Sequence, residues 1–162
     1  MSEVEWFPIP GWEGMYEVST CGEVRSLDRT TTKGQRIKGK TLTLNVTPKG
    51  YHRVGLYRGS QRTPKAVHIL VMEATEGPCP AGMEVLHGNG LKSDNRRANL
   101  RYGTRSENNL DAVAHGSHHS AKKTHCPQGH EYSPDNTYRK PAGGRDCRRC
   151  RAVSRRKYEE KR

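Results

Sequence analysis

The stretch Met83 to Asn109, MEVLHGNGLKSDNRRANLRYGTRSENN, restricts what this chain can fold into more than any other. A short apolar run closing on His87 reads as a strand, and Gly88, Asn89 and Gly90 then turn the chain. A polar loop carrying Asp94 and Asn95 leads to Asn99 and a second short strand, Leu100 to Tyr102. After Gly103, Thr104 and Glu107 have the Thr-x-x-Glu spacing of a capping box, so the sequence predicts a helix start with Asn108 in the first turn. The expected order is strand, loop, strand, helix, with His87, Asn99 and Asn108 at three chosen points.

That pattern resembles the HNH nuclease family, in which a ββα-metal core of two strands and a helix holds one divalent ion. The resemblance implies that His87 is the general base activating water, Asn99 a brace for the loop, and Asn108 a metal ligand. The side-chain oxygen of Asn108 suits Mg²⁺ or Mn²⁺, which prefer oxygen donors. Relatives often place Asp immediately before the His, and here that position is Leu86. The second ligand then falls to another group, such as Asn89, Asp94 or His68, or the ion is held by Asn108, water and DNA phosphate, or the site is inactive. Each residue alone has a plainer reading: Asn95 and Asn99 as turn formers, Asn108 as an ordinary polar helix residue. Their joint order favours the nuclease. Arg96, Arg97, Arg101 and Arg105 surround this centre as candidate phosphate contacts, though any one of them reads equally as a solvated charge.

Upstream, Trp6 to Ser19 contains alternation at Tyr16, Glu17 and Val18, then a turn at Cys21-Gly22-Glu23 and a second strand from Val24 to Leu27. Arg29 to Gly39 reads as a flexible loop, Lys40 to Val46 as a strand, and Tyr51 to Tyr57 as another after the Pro48-Lys49-Gly50 turn. Trp-x-x-Ile-x-Gly-x-Glu-Gly-x-Tyr-x-Val-Ser, followed by Gly-x-Val-x-Ser-Leu, resembles a DNA-binding module found upstream of HNH nucleases, matching most of residues 5–57. Trp6, Trp12 and Tyr16 are read first as its small core. Lys33, Arg36, Lys38 and Lys40 are the candidate phosphate contacts. Arg62 to Pro64 reads as a linker, and Ala66 to Ala74 as a buried helix ended by Gly77-Pro78. His68 is a second-tier metal-ligand candidate there, with a packed or hydrogen-bonded histidine as the plainer reading.

Downstream, Cys126-x3-His130 and Cys147-x2-Cys150 are separated by 16 residues, a spacing that matches a closed tetrahedral Zn²⁺ site of structural type. The intervening residues are polar and rich in Gly and Pro, so a metal has to hold them together. His115, His118 and His119 are spaced loosely enough to read as linker. The region resembles the short Cys/His-rich extensions behind HNH domains in bacteriophage proteins.

Only 31% of residues are hydrophobic and one is Phe, which suits small modules better than one large core. A net charge of +12 points to a polyanion, and residues 139–162 supply +8 of it through 11 Lys/Arg against 3 Asp/Glu. No apolar run approaches 18 residues, so no membrane span is expected. Met1 to Glu5 lacks the basic start of a signal peptide, which suggests a cytoplasmic protein with reduced cysteines.

The expected fold class is α+β in several parts: a small antiparallel β module (1–60), an HNH core (61–114), a linker (115–123), a zinc module (124–151) and a basic tail (152–162). The implied function is phage-type, metal-dependent cleavage of double-stranded DNA, by a homing enzyme if the module order is a guide. The alternative is an HNH-fold protein that binds DNA without cutting it.

Overall fold

The computed structural model describes residues 4–31, 34–141 and 143–161, so the candidate Lys33 lies outside the described residues. The chain divides into two compact units, residues 1–115 and 116–162.

In the first unit, β1 (Trp6–Pro8), β2 (Tyr16–Ser19), β3 (Val24–Ser26) and β6 (Lys40–Thr41) form an antiparallel sheet in that order. Alternation along β2 buries Tyr16 and Val18 and turns Glu17 outward, where its carboxylate meets Arg25 of β3 at 2.7 Å. The expected loop from Arg29 to Gly39 contains a hairpin of β4 (Arg29–Thr30) and β5 (Arg36–Ile37). Lys40 to Val46 is not one strand: β6 ends at Thr41, and β7 (Asn45–Val46) belongs to another sheet. Between them Leu42 and Leu44 pack against the core.

That other sheet is β7, β8 (His52–Arg58) and β9 (Gln61–Ala66). The linker expected at Arg62 to Pro64 is therefore a strand, paired to β8 along its whole length. Pro64 is tolerated because β9 is an edge strand and owes no ladder hydrogen bond on its free side. The strand runs straight into α1 (Val67–Glu76), so the boundary expected at residue 60 interrupts neither pairing nor packing. Val67, Leu70, Val71 and Met72 of α1 share one core with Ile9, Val18, Val24, Val54, Leu56 and, from further on, Leu100. The Tyr16 hydroxyl joins the two sheets, donating to the Tyr57 carbonyl at 3.1 Å and accepting from the Tyr57 N–H at 3.0 Å.

Strand β10 (Met83–His87) then pairs antiparallel with β11 (Leu100–Thr104), a short 3₁₀ turn (Arg97–Asn99) precedes β11, and α2 (Arg105–Ala114) follows it. The capping box is present at Thr104 and Glu107 in both of its hydrogen bonds. The strand, loop, strand, helix order stands as the sequence predicts.

The second unit is a hairpin of β12 (Thr137–Arg139) and β13 (Arg145–Cys147) followed by α3 (Arg148–Glu159). The basic stretch from residue 152, readable as helix or frayed tail, is the body of that helix, which begins between Cys147 and Cys150. Among the described residues, no helix is long and apolar enough to cross a membrane.

Candidate functional site

Asn99 ties both ends of the loop that leaves His87. Its backbone carbonyl accepts from Gly88 N at 2.8 Å, its side-chain oxygen accepts from Asn89 N at 2.9 Å, and its amide donates to the Asp94 carbonyl at 2.8 Å. The loop consumes its own polar groups in the same way. Asn89 donates to Asp94 Oδ2 at 2.8 Å and accepts from Leu91 N. Arg96 grips both carboxylate oxygens of Asp94, at 2.8 and 2.7 Å, and holds that carboxyl well below the usual carboxylate range. Asn89 and Asp94 are therefore committed to loop structure.

Alternation and register sort the hairpin into two faces. Val85, Tyr102 and Leu100 turn toward the shared core beneath α1, and His87 lies on that side. Its ring centroid is 5.1 Å from that of His68 on α1 and 6.0 Å from that of Tyr51. Burial is the main effect on both imidazoles. It lowers His87 below its ordinary value, and together with the nearby His87 it brings His68 down to about 4. Asn95 and Asp94 pull His87 the other way, since each favours a protonated ring. The His68 Nδ1, His87 Nε2 and Asn95 Oδ1 atoms are buried without formed hydrogen bonds.

Because folded His68 resists protonation, the unfolded chain binds the extra proton first as pH falls. Its contribution is fully present above about pH 6.5 and is lost toward pH 4, at a cost on the order of 2–3 kcal/mol. Urea midpoints measured from pH 7 to pH 4 should show this fall, and a His68→Asn variant should flatten it.

Asn95 was legible only as a turn former, but it is 3% exposed and its amide donates to His52 Nδ1 at 3.2 Å and to the Ser93 carbonyl at 3.1 Å. A Cβ on Gly22 would stand 2.7 Å from Asn95 Cβ, and Gly22 has a φ of +85°. Gly22→Ala is therefore expected to destabilise the first unit by about 1–3 kcal/mol and to disturb the His87 surroundings. Denaturant melts and the chemical shifts of the His87 ring would register both effects.

The opposite face of the hairpin turns toward α2. Leu86 is buried there, and Gly103 opposite Glu84 leaves room for the helix: a Cβ on it would meet Leu86 Cδ1 at 2.6 Å. Asn108 is exposed on α2 and donates from Nδ2 to Glu84 Oε1 at 2.7 Å. The structure thus places His87 and His68 together on one face and Asn108 with Glu84 on the other.

The basic candidates differ in their freedom. Arg96 is bound to Asp94, Arg97 pairs with Glu76, and Arg101 pairs with Asp111 at 2.6 Å. Arg105 is exposed at the start of α2 with no ion pair among the described residues, and Lys38 and Lys40 are exposed near β6.

In the second unit Cys126, His130, Cys147 and Cys150 converge, with all four ligand atoms within 4.8 Å of one another. Cys126 Sγ lies 3.7 Å from Cys150 Sγ, and His130 Nδ1 lies 3.5, 3.6 and 3.3 Å from the sulfurs of Cys126, Cys147 and Cys150. A tetrahedral ion with metal–sulfur bonds of about 2.3 Å and metal–nitrogen bonds of about 2.0 Å has edges of about 3.8 and 3.5 Å, so the cluster fits one. Burial and the thiols of Cys126 and Cys147 push Cys150 up to about 12. Burial also opposes ionisation of Cys147, but the Cys150 N–H and the Asn136 amide outweigh it and bring that thiol down to about 6. Asn136 is buried and donates to Cys147 Sγ at 3.3 Å and to the Glu131 carbonyl at 2.6 Å.

Residues 65–110 match the HNH endonuclease family. They form an HNH endonuclease domain. Residues 5–57 match the NUMOD4 motif, and the Cys/His cluster lies beyond both matches. The chain is 36% identical over 115 residues to the DNA endonuclease I-HmuI of Bacillus phage SP01, covering 70% of this chain and 60% of that protein. It also superposes on a solved structure described as DNA binding and cleavage by the HNH homing endonuclease I-HmuI, with a TM-score of 0.58 and 35% identity, covering 70% of this chain and 60% of the other. The chain therefore spans about 60% of the length of the relative it matches. HNH nucleases are metal-dependent, and in this HNH domain the strands are β10 and β11 and the helix is α2. The NUMOD4 stretch and the HNH domain share one core through α1.

Proposed function

We propose that this protein is a metal-dependent endonuclease that hydrolyses phosphodiester bonds of double-stranded DNA. The observation that carries the reading is the half-buried imidazole of His87 at the end of β10, which burial makes harder to protonate, beside a loop locked by Asn99. A divalent cation, Mg²⁺ or Mn²⁺, would polarise the scissile phosphate and stabilise the leaving oxygen. His87 accepts the proton of the attacking water through a ring nitrogen, which a neutral imidazole can do near pH 7. Asn99 positions the turn that leaves His87, and Asn108 offers its side-chain oxygen to the cation. His87 and Asn108 flank β10 on opposite faces, so a phosphate served by both has to reach across that strand.

DNA backbone contacts fall to Lys38, Lys40 and Arg105, which are exposed, and to Arg96, Arg97 and Arg101 where phosphate competes with their present partners. In the second unit, soft thiolates with one imidazole select Zn²⁺, and four protein ligands leave it no open position, so its role is structural. Helix α3 extends from that site with Arg148, Arg149, Arg151, Arg155, Arg156 and Lys157, a charge that holds DNA without regard to sequence. The setting is the cytoplasm of a phage-infected bacterium, where thiols stay reduced. Mobility of the enzyme's own gene is a sub-hypothesis, since the relative is described as a homing endonuclease.

The test is cleavage of supercoiled plasmid with Mg²⁺ or Mn²⁺ against EDTA, in which nicked or linear product appears only with metal. The second reading is a DNA-binding protein that does not cut, favoured by buried Leu86 at the position where relatives often carry Asp. Binding without cutting across metals and substrates would establish it.

A further inference from the structure

Leu86 cannot bind a cation, and the groups that could replace it are spoken for. Asn89 and Asp94 are used by the loop, and His68 lies on the His87 face of the hairpin. One carboxylate does share the α2 face with Leu86, two residues earlier on the same strand: Glu84. We propose that Glu84, together with Asn108, holds the divalent cation of the HNH domain in place of a carboxylate at position 86. The inference rests on the endonuclease reading and names a ligand that reading lacks.

Three observations carry it. Glu84 Oε1 and the Asn108 amide are already 2.7 Å apart. An octahedral ion with bonds of about 2.1 Å spans adjacent oxygens about 3.0 Å apart, so a flip of the Asn108 amide presents Oδ1 and Glu84 Oε1 at nearly the spacing such an ion needs. Both residues are exposed, which leaves the remaining positions to water and a phosphate oxygen. Glu84 is in no ion pair among the described residues, so a cation displaces only the Asn108 donor.

The experiment is a Mn²⁺ titration of the zinc-loaded full chain, with free ion read by electron paramagnetic resonance. Wild-type protein is expected to bind one Mn²⁺, and Glu84→Gln to bind it at least tenfold more weakly. Asn108→Asp is expected to tighten binding by tenfold or more, because two carboxylates then share the ion. Unchanged affinity in Glu84→Gln, no tightening in Asn108→Asp, or no Mn²⁺ uptake by the wild type at millimolar concentration would overturn the proposal. Plasmid cleavage on the same proteins separates the two ideas. Mn²⁺ binding that follows Glu84 in a chain that never cuts sinks the endonuclease reading alone, and cutting with Mn²⁺ binding indifferent to Glu84 sinks this inference alone.

Discussion

Replacing His87 with Ala is expected to slow metal-dependent cleavage of supercoiled plasmid by about 10²- to 10⁴-fold, the range spanned by loss of one general base. DNA affinity should stay close to wild type, because His87 is uncharged near pH 7 and the candidate phosphate contacts lie elsewhere. The variant has to be shown to fold, since the ring packs against His68 and Tyr51 and its removal leaves a gap. A pH profile supplies a readout that packing alone would not move. Burial holds His87 below the ordinary histidine range, so the acid limb of wild-type cleavage should fall below about pH 6.5. In His87→Ala that limb should vanish along with the rate. Equal cutting by the variant and the wild type would remove His87 from the mechanism.

The second large effect concerns the other unit. Cys147→Ser combined with Cys150→Ser should lower bound zinc from about one per chain to none and unfold residues 116–162. Among its described residues the buried set there is Cys126, Cys147 and Asn136, so ligand sulfurs stand where a larger domain would have a hydrophobic core. A two-stranded hairpin such as β12 and β13 is marginal alone. Structural zinc in small modules contributes about 10–16 kcal/mol, more than any other interaction available to this unit. Loss of helical dichroism from α3 and rapid proteolysis beyond residue 116 would report the change, while the first unit keeps its denaturant transition. The salt dependence of DNA binding should also flatten, because the Lys and Arg of α3 would no longer be held in one array. Retention of zinc in the double variant would refute the assignment of these ligands.

Several features were legible because their signals are local. The capping box at Thr104 and Glu107 needs only three intervening bonds of register to announce a helix, and α2 begins there. The two Cys/His pairs carry their own spacing, and the four ligands meet. The alternation at Tyr16 and Val18 foretold β2 with its buried face. Strand β9 is hidden for the same reason: Arg62-Thr63-Pro64 has poor strand chemistry locally, and only pairing with β8 makes an edge strand of it. Asn95 reads as a turn former because Asn is common in turns. Its burial against His52 depends on a contact across 43 residues that no spacing rule reports.

The sequence by itself therefore determined the strand, loop, strand, helix order of the HNH domain and the Cys/His cluster, since caps, turns and cysteine spacings act over a few residues. Tertiary structure alone decided which face each group occupies. The β10–β11 register sends His87 toward His68 and Tyr51, and sends Glu84 toward Asn108 on α2. A shift of one residue would exchange those faces, because side chains alternate across a strand.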